Sequence, residues 1–225
     1  MEPTSLQIVD QVIAGSPDWK RPVRALEQLP PDAASVRIVI DALERRVCES
    51  WLAACLLGAI GHPDGYATAL ALLRSRSDVN AKAYAGPALT RMRGDAALPD
   101  LAAVLEDASF DRKTHEGAAY GLGAISDPHA LDVLVAALDA EHIRMGTAGF
   151  VLNERPFAPA LLLEWLRGDQ PRRRTTAAWA LFYRTANAVD SAIPRELSDA
   201  LFAEINRGGL PFTTAQEQIL RERLA

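Results

Sequence analysis

The chain has 225 residues, of which 49% are apolar and 24% charged, a balance typical of a globular protein that excludes disorder and fibrous repeats. Its formal net charge of −5 gives no general attraction to phosphate backbones or anionic membranes. The N-terminal residues Met1 to Ser5 carry no basic stretch leading into an apolar one, and no apolar run approaches the roughly 18 residues that span a bilayer, so a cytoplasmic location is expected.

In chain order, Leu6 to Ile13 and Val23 to Arg46 are predicted helices of an N-terminal cap covering residues 1–47. Cys48 and Cys55 follow, two helical turns apart in a predicted helix. That is about 10 Å along the axis, against the roughly 5.5 Å a disulfide needs, so both are expected as free thiols. With no CxxC or HxxxH pair, no structural zinc site is expected. The stretch AACLLGAIGHPD at 53–64 then recurs, altered, as GAAYGLGAISDPHA at 117–130. The apolar residues before the turn, Leu57, Leu89, Leu122, Val151 and Leu181, return about every 30 residues, the length of a two-helix unit.

Turn chemistry supports that unit. Asp127 before Pro128 places a capping carboxylate ahead of a proline at the helix start, and Gly61-His62-Pro63, Gly94-Asp95 and Arg155-Pro156 mark the equivalent turns. Behind the turns, residues 101–105, 131–138 and 161–166 space their apolar side chains at i, i+3, i+4, which makes one buried stripe per helix. Pro87 falls inside a predicted helix over 80–93, where it is expected to cause a kink. No segment shows the alternation of a strand. Residues 48–186 thus read as about five repeats, and residues 187–225 as a helical C-terminal cap in which Gly208-Gly209 separates two helices.

The pattern Ala-Ala-x-x-Leu-Gly-x-Ile-x-Asp-Pro followed by an apolar helix resembles the HEAT-like repeat of the phycocyanobilin-lyase type. The resemblance implies an all-α fold, a right-handed α-solenoid (alpha-alpha superhelix) of about five two-helix repeats with helical caps, in one domain over 1–225. In such repeats the helix carrying the anchor lines the concave face. Positions two, five or six, and nine before each anchor then point outward. They are Cys48, Trp51, Leu52 and Cys55; Asn80 and Tyr84; Lys113, Glu116 and Tyr120; His142 and Met145; and Arg172, Thr175, Thr176 and Trp179, with Tyr183 two after its anchor. Trp51, Tyr84, Tyr120, Met145, Arg172, Trp179 and Tyr183 are the candidate partner-binding residues, because exposed aromatics near basic side chains are what binding surfaces enrich. A second column, Ser50, Lys82, His115, Arg144 and Arg174, is expected to pair with Asp95, Asp107, Asp127, Asp139 and Asp169 in a structural ladder.

No complete catalytic or cofactor motif is present, so the leading expectation is a non-enzymatic binding or scaffold module that holds a protein segment or another elongated ligand. Resemblance to bilin lyases implies an alternative, an enzyme or carrier acting on a hydrophobic small molecule, with Cys48 or Cys55 and Glu116 as participants. HEAT-like DNA glycosylases would need a basic concave face and a carboxylate beside tryptophans. The charge of −5 opposes that reading, whereas Trp179 beside Arg172, Arg173 and Arg174 favours it. His115-Glu116 looks like the His-Glu pairs by which deoxyhypusine hydroxylases bind two irons. His62, His129 and His142 have no following Glu, so neither metal nor cofactor is expected.

Overall fold

The computed structural model describes residues 3–15, 17–76, 78–155, 158–187 and 193–224; Pro156, in one of the expected turns, and part of the expected C-terminal cap lie outside them. Among the described residues every regular element is helical and no strand occurs. The chain forms two compact units, Met1–Ala137 and Leu138–Ala225.

The first unit contains α1 (Ser5–Ile13), α2 (Lys20–Leu26), α3 (Ala33–Glu44), α4 (Ser50–Ile60), α5 (Tyr66–Arg74), α6 (Val79–Arg93), α7 (Leu98–Glu106) and α8 (Arg112–Leu122). Short polar side chains start α1, α3, α6 and α8, where the backbone N–H groups lack helical partners. Thr4 and Gln7 form a reciprocal capping box on α1, and Asp32, Asp78 and Asp111 accept from the first amides of α3, α6 and α8. Gly61 ends α4 in the left-handed region at φ 67°, a conformation that favours glycine. The expected Asp127 cap also forms, its Oδ1 accepting the His129 amide at 2.9 Å.

Packing in this unit is successive. α6 lies against both α4 and α8, while α5 packs on α6 and α7 on α8. α4 buries Ala53, Ala54 and every residue from Leu56 to Ile60, so it is covered on nearly all sides rather than along one stripe. The α6–α8 contact is close enough to bring backbones together. A Cβ added at Gly86 would lie 1.8 Å from the carbonyl oxygen of Gly117, and one added at Gly121 would lie 2.7 Å from that of Gly86. These glycines, unfavourable in an isolated helix, are required by this approach. Thr90 spans the same contact, its hydroxyl donating to the Gly121 carbonyl at 2.7 Å. α6 continues through Pro87, running for 15 residues, with the packed Gly86 and the buried Ala88 and Leu89 flanking the proline.

α9 (His129–Asp139) leads into the second unit, which contains α10 (Met145–Glu154), α11 (Pro159–Arg167), α12 (Pro171–Asn187), α13 (Arg195–Asn206) and α14 (Thr214–Leu224). α12 packs on α10, α11 and α14, and α11 also meets α13. Gly149 allows the α10–α12 approach, because an added Cβ would lie 2.5 Å from the Cβ of Trp179. Arg223 of α14 donates to the Thr185 carbonyl at 2.6 Å, satisfying an acceptor near the end of α12.

Two members of the basic column, Lys82 and Arg174, pair differently from expectation. Lys82, only 1% exposed, donates to Asp111 at 2.7 Å, and Asp111 is none of the five acids expected. The His115 ring meets the backbone carbonyl of Asp107, and Arg174 pairs with Glu204 at 2.9 Å and with the Gly168 carbonyl. Asp139 instead takes Arg173 at 2.7 Å, and Asp95 accepts the Ser126 amide, tying the turn after α6 to the turn after α8. Each partner is decided by where a loop or cap enters, which helical spacing does not encode.

Candidate functional site

The first unit holds a cavity of about 430 Å³, within the range of small-ligand sites. Its walls come from four elements. Trp19, at the N-cap of α2, and Trp51 of α4 form one side. α6 contributes Val79, Asn80, Ala83 and Tyr84, and α8 contributes Lys113, Glu116, Gly117 and Tyr120. Tyr84 is 41% exposed and Val79 50%, so the rim opens to solvent. The two sides meet here because small residues let α4, α6 and α8 approach closely, with Gly58 against Ala88 and Gly86 against Gly117.

The rings form a connected wall. Trp19 and Trp51 meet edge-on with centroids 5.0 Å apart, and Trp51 and Tyr84 meet at a tilt at 6.2 Å. The Trp51 indole N–H donates to the Glu49 carboxylate, and Lys20 Nζ stands 5.8 Å from the centre of the Trp19 ring. Glu116 is 2% exposed, and its carboxylate lies 3.3 Å from the ammonium of Lys113, a side chain left 50% exposed. The α8 helix that carries both is anchored at its start by Asp111, which accepts from Lys82 and caps the Thr114 amide. The Lys82 hydrogen bond, aided by Thr114, holds the Asp111 carboxyl down to about 2.

Of the seven candidate residues, the structure brings Trp51, Tyr84 and Tyr120 together at this cavity, along with Asn80, Lys113 and Glu116 from the outward set. The other four lie in the second unit. Arg172 clamps the connection between α9 and α10, donating to the carbonyls of Leu138 at 3.2 Å and Ile143 at 3.4 Å and pairing with Glu141. Met145 is half-buried at the start of α10. Trp179 stacks on Tyr183 at 5.6 Å and is met edge-on by Phe182 and Phe212, while Phe150 meets Tyr183. Thr175, Thr176, Cys48 and Glu116, expected outward, are buried.

Trp19 was not legible as a site residue. It belongs to the turn after Pro17 rather than to a repeat helix, and only the packing of α2 on α4 brings it to Trp51. The thiols are free, and burial pushes Cys48 up to about 11 and Cys55 up to about 12, which disfavours either as a thiolate nucleophile near neutral pH. Among the described residues no three His, Cys, Asp or Glu side chains converge as metal ligands, and no helix is long and apolar enough to cross a membrane. No protein-family model matches this sequence, and no curated protein matches it.

Proposed function

We propose that the chain is a right-handed α-solenoid of HEAT-like repeats acting as a non-enzymatic binding module, and that the cavity of the first unit grips a segment of a protein partner. The observation that carries this reading is the wall of rings from Trp19, Trp51 and Tyr84, held open to solvent on a close-packed helical support. Exposed rings that become buried only in a complex are the usual anchors of an interface, since each removes a large apolar area from water at little conformational cost. The succession α4, α6, α8 with α5 and α7 packed on it supports the repeat reading. Repeats stacked in this way present extended surfaces suited to a chain segment.

The test is selection of a displayed library of random peptides about 12 residues long on the full chain, with retention compared on Tyr84→Ala and Trp51→Ala. The expected result is a set of peptides that bind the unaltered chain and lose about tenfold or more in affinity on both variants, equivalent to about 1.4 kcal/mol, while Tyr84→Ala keeps its melting temperature. Peptides retained equally by all three proteins, or none at all, would overturn the reading.

A further inference from the structure

Resting on the binding-module reading, we propose that the partner segment of this cavity is acidic: an aromatic side chain enters among the rings, and flanking carboxylates pair with Lys20 and Lys113. The apolar part of the wall sets the anchor. Trp19, Trp51 and Tyr84 meet one another edge-on or tilted, and Val79 and Ala83 continue the lining on α6. A ring entering beside them adds a further edge-to-face or offset contact, a gain that an aliphatic side chain does not make.

Charge sets the flanks. The chain as a whole carries −5, yet residues 18–26 hold Lys20, Arg21 and Arg24 against Asp18 alone. All three cations are exposed, and none forms an ion pair with a described residue. Lys20 stands at the site, its Nζ 5.8 Å from the centre of the Trp19 ring. From α8, Lys113 is half-exposed and pairs with Glu116 at 3.3 Å. An ammonium has three donors, so Lys113 can take a second carboxylate from solvent without leaving the first. The acids beside the rings are already engaged. Glu49 accepts the Trp51 indole N–H, and Asp78 accepts the Asn80 and Ala81 amides. A peptide suits this pattern better than a nucleic acid. Single strands favour a basic groove that follows a phosphate at every nucleotide, whereas two lysines in the company of Glu49 and Asp78 match a few spaced carboxylates.

Three displayed peptide libraries, each about 12 residues long with a fixed central phenylalanine, test this on the full chain. The flanking positions carry Asp and Glu in one, Asn and Gln in the second, and Lys and Arg in the third. Acidic peptides are expected to bind at least about tenfold tighter than the best of the others at an ionic strength of about 0.05 M, and to weaken about tenfold at about 0.5 M. Leucine in place of the phenylalanine should weaken them about threefold. Lys20→Glu, at an exposed position, should cost about threefold in affinity with an unchanged melting temperature, and adding Lys113→Gln should remove most of the preference for acidic flanks. The inference is overturned by equal affinities for the three libraries, by a preference for basic flanks, or by indifference to both lysine substitutions. Tighter binding of a single-stranded oligothymidylate of about 12 nucleotides than of any acidic peptide would overturn it as well. That failure is separable from failure of the module. Peptides that depend on Tyr84 and Trp51 but prefer neutral or basic flanks would leave a binding site with a different occupant.

Discussion

In residues 1–137 the rings of Trp19, Trp51 and Tyr84 border a cavity, whereas in residues 138–225 those of Trp179, Phe182, Tyr183 and Phe212 cover one another. Trp51 stands near the start of α4 and Trp179 in the middle of α12, yet both are placed on the outward face by their distance from the anchors Leu57 and Leu181, and aromatic side chains surround both. What separates them is the neighbouring chain. Phe212, in the connection between α13 and α14, comes within 5.0 Å of the Trp179 ring. Trp51 is met by one tryptophan edge-on and one tilted tyrosine, and space remains beside them. An aromatic residue facing away from its own repeat is therefore a stabilising contact or a binding surface according to what packs on it from elsewhere.

The largest expected effect attacks the support of the open site. Gly86→Ala places a methyl group against the Gly117 carbonyl, so α6 and α8 must separate, with a loss of about 3 kcal/mol. Denaturant unfolding followed by fluorescence checks this, with Trp19 and Trp51 in the first unit and Trp165 and Trp179 in the second. The change should fall on the first pair; an unaltered midpoint would show that the close approach is not rigid.

A middle-sized effect separates the two ring sets. Trp179→Ala should lower stability by about 2–3 kcal/mol, because its ring is half-buried against three others, while Tyr84→Ala should cost less than about 1 kcal/mol. Thermal melts of the two variants decide it, and equal losses would erase the distinction between covered and open rings. The smallest effect concerns acid. Asp111 is held at about 2, below its ordinary 3.8, so the stability it contributes is present above about pH 4 and disappears as pH falls towards 2. Melting temperatures of Asp111→Asn measured between pH 5 and pH 2.5 should show a shallower decline than those of the unaltered chain.

Much of the scaffold was readable from residue order. Gly61, Asp127 and the apolar spacing around Leu57, Leu89 and Leu122 mark turns and buried faces through local backbone and periodicity rules, and the helices form where these signals place them. Trp51, Tyr84 and Tyr120 were reachable in the same way, because a helix of known register defines which side chains leave the core. Partner choice was less legible. Asp111 rather than Asp95 or Asp107 receives Lys82, since the start of α8 delivers that carboxylate to the end of a long buried side chain.

The amino-acid order by itself thus marked the repeating helical elements and the Asp127 cap, because these follow from interactions among residues a few positions apart or from a period that repeats. Only the tertiary structure decided that Trp19 joins Trp51, that Glu116 is buried beside Lys113, and that Phe212 packs on Trp179. Those outcomes depend on how a cap helix or a late loop packs on a distant helix, and such contacts are set by the shape and volume of both surfaces together.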